Sequence, residues 1–166
     1  ESGTNGWTTE NYSSENLWHQ TAYDYNSYNT SWWCAYEDSA NYNTGNTVVN
    51  ALISPEFYID ETSFNVYLSF FESYETEGGY DYCMVDISTD GGNEWYQLRG
   101  YAGEDDGTAP SGSSEGWIES TYDITAFMGN MVQIRFIFDT IDPIANDYTG
   151  WFVDDVKIYS GAIIQG

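Results

Sequence analysis

Residues 150–158 read GWFVDDVKI. The run has the spacing of a β-strand, in which successive side chains point to opposite faces. On that reading Phe152, Asp154, Val156 and Ile158 share one face, and Trp151, Val153, Asp155 and Lys157 share the other. The first face reads as the core side, which sets Asp154 among three apolar residues. An ionised carboxylate is costly to bury unless it is paired or binds a metal. What answers the charge of Asp154 bears on both fold and function.

The same alternation recurs along the chain. Phe64, Val66, Leu68 and Phe70 line one face of a run; Cys83, Val85 and Ile87 line a second; Val132, Ile134, Phe136 and Phe138 line a third. Turn signals punctuate these runs: SPE at 54–56, EGG at 77–79, TDGG at 89–92 and YTG at 148–150. No amphipathic helix is evident, and YDITAFMG (122–129) is compatible with one short turn. Short strands at regular spacing predict an all-β fold, an antiparallel β-sandwich of jelly-roll topology, with residues 1–166 as a single domain. Residues 8–31 (polar, rich in Tyr and Asn) and 101–116 (acidic, rich in Gly and Ser) read as long loops.

Composition narrows the function classes. Arg99, Arg135 and Lys157 are the basic residues, against 27 Asp and Glu, for a net charge of -24. Such a chain is not built to neutralise phosphates, so neither nucleic acid nor an anionic membrane is an expected partner. It also has few cations of its own to offer Asp154. Tyr, Trp and Phe make up 19% of the residues, which sets the chain apart from a disordered acidic tail. No apolar run is long enough to insert in a membrane, and the start at Glu1 reads as a mature secreted chain or an excised module. Cys34 and Cys83 permit one disulfide without requiring it, and Cys83, alternating with Val85 and Ile87, reads equally well as a buried thiol. Asn11 and Asn29 stand in glycosylation sequons.

Five stretches together resemble one family. They are ESGTNGWTT (1–9), NALISPEFYID (50–60), YDYCMVDISTDGGNEWYQL (80–98), GWIESTYDITAFMGNMVQIRFIFDT (116–140) and GWFVDDVKI itself. In this order they are similar to the MAM-like jelly rolls: accessory β-sandwiches of immune-inhibitor-A-type secreted metalloproteases, bacterial cleaved-adhesin domains and animal MAM domains. The resemblance implies a module without catalytic function of its own, in a secreted or surface-attached parent. It also implies a structural calcium ion near the chain ends, bound by an acidic residue of the first strand and the first Asp of the closing pair. Carried over, these are Glu1 and Asp154.

Calcium takes about 6 to 8 oxygen ligands, and the polar stretch 36–47 offers Asp38 and Asn43 as further ones. The alternative is that Asp154 accepts backbone amides or pairs with Arg135. Glu104, Asp105 and Asp106, and Asp139, Asp142 and Asp147, form two more acidic clusters, neither with the EF-hand spacing. Catalysis is poorly supported: His19 is the only histidine, there is no Gly-x-Ser-x-Gly elbow, and zinc would need more His or Cys. Trp18, Trp32 and Trp33, with Tyr23, Tyr25 and Tyr28, are concentrated before residue 37. They can fill the core and its edge, or form a platform for sugar rings. The sequence therefore predicts a calcium-stabilised extracellular module with an adhesive or accessory role, its partner a protein or glycan on a cell surface or in a matrix. A carbohydrate-binding module and a self-associating filament subunit, with the tail YSGAIIQG (159–166) pairing to a neighbouring sheet edge, are the competing readings.

Overall fold

The computed structural model describes residues 4–100 and 109–161. Eleven strands lie among them: β1 (Thr8–Asn11), β2 (Trp18–Thr21), β3 (Ser31–Cys34), β4 (Val49–Ile53), β5 (Phe57–Tyr58), β6 (Val66–Glu75), β7 (Tyr82–Ser88), β8 (Tyr96–Arg99), β9 (Ile118–Asp123), β10 (Met131–Asp139) and β11 (Gly150–Ser160). One sheet runs β1-β4-β10-β7-β8, with β5 on the end of β10; the other runs β2-β3-β11-β6-β9. Every pairing is antiparallel. This is the expected antiparallel sandwich.

Alternation explains which faces meet. Val66, Leu68 and Phe70 of β6, Cys83, Val85 and Ile87 of β7, and Val132, Ile134, Phe136 and Phe138 of β10 are all buried in one core between the sheets. Phe64, expected on the first of these rows, precedes β6 and is exposed. The stretch 8–31, expected as a loop, holds β1, β2 and the start of β3. Its strands escape notice because β1 and β2 are edge strands, and a short edge strand with a wet face carries little apolar signal. The expected turn within 122–129 is a short 3-10 helix at Thr125–Phe127. No helix among the described residues is long and apolar enough to cross a membrane.

Two corrections concern pairs. Cys34 and Cys83 are both buried free thiols, one on each sheet, so the disulfide is not formed. The faces of β11 also differ from a straight alternation. Asp154 lies opposite Phe71 and Lys157 opposite Ser69, so two residues, Asp155 and Val156, face Phe70 alone. This is a β-bulge, and it reverses the parity of everything after it. Trp151 and Val153 before the bulge share the core face with Val156 and Ile158 after it. Phe152, Asp154, Lys157 and Tyr159 point outward. Asp155 absorbs the extra residue at φ 50, a left-handed conformation that Asp tolerates better than most. Asp154 is therefore outside the core.

Candidate functional site

Outward placement changes what Asp154 meets. The segment between β2 and β3 crosses over it. Asp154 Oδ2 accepts the backbone N–H of Asn26 and of Ser27, both at 2.9 Å, and Oδ1 accepts that of Asp155 at 2.7 Å. Asp155 holds the same segment, accepting Asn26 Nδ2 at 2.8 Å and Ser27 Oγ at 2.6 Å. Burial, with the charge of Asp155, outweighs these amides and leaves the Asp154 pKa above the usual carboxylate value. Arg135 is not its partner. That guanidinium sits 2.6 Å from Asp86 Oδ2 and lies over the Trp95 ring at 4.3 Å. Of the two answers that need no metal, backbone amides are the one observed.

A cleft of about 370 Å³ opens beside the bulge, where β3 ends and β11 continues without it; Asp154, Asp155, Trp7, Trp32 and Tyr28 are among its walls, together with Thr4 and Asn5. Glu1 lies outside the described residues. Asp38 and Asn43 do not join Asp154. Asn43 Nδ2 donates to Asp147 Oδ1 (2.9 Å), and the neighbouring Tyr42 packs against Gly150. Gly150 is four strand positions, about 13 Å, from Asp154. No three His, Cys, Asp or Glu side chains gather as a metal cluster among the described residues.

The aromatic residues divide in a way the sequence did not show. Trp18 and Trp33 are buried, so they are no surface platform, and Trp32 is half-buried beside Trp7. Of the six aromatics singled out before residue 37, the exposed rings are those of the crossing segment, Tyr23, Tyr25 and Tyr28. Tyr23, 55% exposed, stacks on Trp33 with centroids 4.7 Å apart, and Trp33 stacks on Phe152 at 4.8 Å. Trp117, its ring tilted at 55° to that of Phe152, donates its indole N–H to Asp24 Oδ1 at 3.1 Å. A second cleft, about 250 Å³, opens here; Tyr23, Phe152, Asp24, Glu75, Ser73 and Thr149 line it. Thr149 Oγ1 donates to Glu75 Oε2 at 2.9 Å. A flat ring on a rigid backing, rimmed by carboxylates and hydroxyls, suits a ligand with an apolar face and several hydroxyl donors.

The remaining sites are placed as follows. His19 Nε2 is 3.0 Å from Glu37 Oε2 at the surface, and Thr21 Oγ1 also donates to Glu37. Asn11 is an exposed residue whose Oδ1 accepts from Ser13 and Asn50, while Asn29 is exposed at a left-handed φ of 67. Glu104, Asp105 and Asp106 lie outside the described residues, as does the tail beyond Gly161. Asp139, Asp142 and Asp147 lie in and after the end of β10.

The profile of the immune inhibitor A-like MAM domain matches residues 35–162. Bacillopeptidase F of Bacillus subtilis (strain 168) is 25% identical over 123 residues, which is 74% of this chain and 7% of that protein, so the chain corresponds to a small part of its relative. Among solved structures, the K3 cleaved adhesin domain of Lys-gingipain from Porphyromonas gingivalis W83 superposes with a TM-score of 0.56 at 18% identity, over 94% of this chain and 92% of that one. A carbohydrate-binding module solved with β-1,4-galactotriose superposes with a TM-score of 0.57 at 10% identity, over 93% and 88%. The profile match covers most of the sheets described above, from the end of β3 to the end of β11, and the chain belongs to the immune inhibitor A-like MAM domain family.

Proposed function

We propose that the chain is a non-catalytic accessory module of an extracellular protein, and that it binds neutral glycan on the outer face of the β2-β3-β11-β6-β9 sheet. The observation that carries this reading is Tyr23, a half-exposed ring stacked on a buried one, above a cleft rimmed by Asp24, Glu75, Ser73 and Thr149. Carboxylates accept sugar hydroxyls, and a net charge of -24 repels uronic or sulfated chains. The fold's likeness to a module solved with β-1,4-galactotriose supports the class of ligand and supplies the first probe.

Affinity electrophoresis through β-1,4-galactan and mixed-linkage glucan tests the reading. Retardation is expected for the native chain and should disappear in Tyr23→Ala, while Tyr58→Ala, on the other sheet, keeps it. Native mobility unchanged in every neutral polysaccharide, or retardation that survives Tyr23→Ala, would overturn it.

A calcium ion held by Asp154 with Glu1 is the second part of the proposal. It rests on the resemblance and on one observation: Thr4 and Asn5 line the same cleft as Asp154. When bound, the ion would tie the chain start to β11. A ligand that binds only the folded state raises the unfolding midpoint, so calcium should raise it in the native chain and less in Asp154→Ala. An equal rise in both would exclude Asp154 as a ligand.

A further inference from the structure

The far end of the sandwich holds a second unanswered carboxylate. Asp81 immediately precedes β7 and ends the core-facing row Asp81, Cys83, Val85, Ile87; it is wholly buried. Tyr82 pairs with Asp139, so Asp81 stands opposite Thr140 on the same face. Asn146, also wholly buried, points its amide nitrogen at Thr140 Oγ1 (3.5 Å) and at the Asp142 carbonyl (3.4 Å). The two side chains flank one threonine. Asp81 Oδ2 accepts the Tyr42 hydroxyl and the Glu77 N–H (3.0 Å). Asp81 Oδ1 and Asn146 Oδ1 have no donor. Two buried acceptors without donors are rare in a folded protein and call for an explanation.

None of the basic side chains among the described residues supplies it. Arg99 is paired with Glu72, Arg135 with Asp86 and Lys157 with Glu119, and His19 lies beside Glu37. Burial pushes the Asp81 pKa up to about 6 against the Tyr42 hydroxyl and the Glu77 N–H, and the charges of Glu77 and Asp142 add a little to the rise. All the open positions are oxygens, which favours a hard ion over zinc or copper.

We propose that Asp81 Oδ1 and Asn146 Oδ1 bind a calcium ion at this end of the sandwich, with Asp142 at its rim. The site is distinct from Asp154, which lies along β11 on the outer face of the other sheet. Its occupant would pin the segment after β10 to the start of β7. It would also neutralise a carboxylate that no side chain can.

The test is calcium titration calorimetry on the full chain after EDTA treatment, with terbium luminescence excited through Tyr42 and the core tryptophans as a second readout. Four forms are compared: native, Asp154→Asn, Asp81→Asn and Asn146→Asp. Asp154→Asn should keep one calcium-binding event and terbium emission, and Asp81→Asn should lose that event. Asn146→Asp, which adds a charge, should bind calcium more tightly than the native chain. Near-ultraviolet dichroism checks that Asp81→Asn is folded; should it not be, Asn146→Asp decides alone. No binding in Asp154→Asn, undiminished binding in folded Asp81→Asn, or unchanged affinity in Asn146→Asp would each overturn the site. A buried water or a protonated Asp81 predicts these negative results.

Discussion

Glu72 and Arg99 join the two sheets through the middle of the core. Arg99 Nη1 and Nη2 meet the two oxygens of Glu72 at 2.7 Å each. Ser120 Oγ and the Trp151 indole N–H also donate to Glu72, and Arg99 Nε donates to the Cys83 carbonyl. The guanidinium lies over Phe70 and Trp151, 5.4 Å from each ring centre. Removing one partner leaves a buried charge alone, which costs about 3–5 kcal/mol. Arg99→Met should lower urea-unfolding stability by about that much, while the double change Glu72→Leu with Arg99→Met recovers most of it; an additive double mutant would refute the pairing argument. Burial alone would raise the Glu72 pKa, but Arg99's charge and the hydrogen bonds hold it below the usual value. A depressed carboxylate contributes stability above its unfolded pKa and loses it as pH falls through the folded one. Acid unfolding should therefore begin below the ordinary Glu range, and Glu72→Gln should shift that onset. Glu72 was legible in principle, since it continues the inward row Val66, Leu68, Phe70 by two residues. Arg99 was not, because β8 is short and its inward residue is known only from the pairing.

The bulge in β11 shows what periodicity can and cannot decide. Alternation identified the strand and its ends but carried one parity through Asp155, which placed Asp154 in the core. The sequence marks a bulge only weakly here, because Asp rather than Gly occupies the left-handed position. The loop that covers Asp154 lies well over a hundred positions earlier, and no local pattern links them. Two substitutions separate conformation from contact. Asp155→Val forces a β-branched side chain to φ 50, at about 1–2 kcal/mol, and also drops the bonds to Asn26 and Ser27. Asp155→Asn tolerates the conformation and keeps a polar partner for Ser27, so thermal unfolding should show a clearly smaller loss. Asp154→Ala strips the acceptor from two backbone amides at once. Hydrogen exchange should then quicken at Asn26 and Ser27 while β6 and β10 stay protected. Unchanged exchange at those amides would mean that Asp154 does not hold the segment.

Charge acts on the molecule as a whole. The structure confines its three basic residues to ion pairs, two of them buried or nearly so. With 27 Asp and Glu, three such cations leave a large excess of negative charge, and its self-repulsion weakens the compact state. This imbalance was fully legible from composition, whereas the sites where it matters were not. The sequence offered Trp18, Trp32 and Trp33, with Tyr23, Tyr25 and Tyr28, either as core or as a platform, and the fold buries Trp18 and Trp33; apolar rings read alike on either face until register is known. Tyr23 is held flat at the surface because buried Trp33 backs it. Screening distinguishes general repulsion from the proposed calcium sites. Raising sodium chloride from about 0.01 M to about 1 M shortens the Debye length roughly tenfold, from about 30 Å to about 3 Å. The thermal midpoint should climb by several degrees, potassium chloride should match sodium chloride, and Asp81→Asn should climb by nearly as much, since it removes one of many charges. The Glu72–Arg99 pair is shielded from solvent and loses little to salt. Calcium, on both proposals, should act at far lower concentration and through Asp81 and Asp154. A midpoint that stays flat or falls with monovalent salt would show that the surface carboxylates are spaced widely enough to be neutral in effect, and that their number reflects solubility alone.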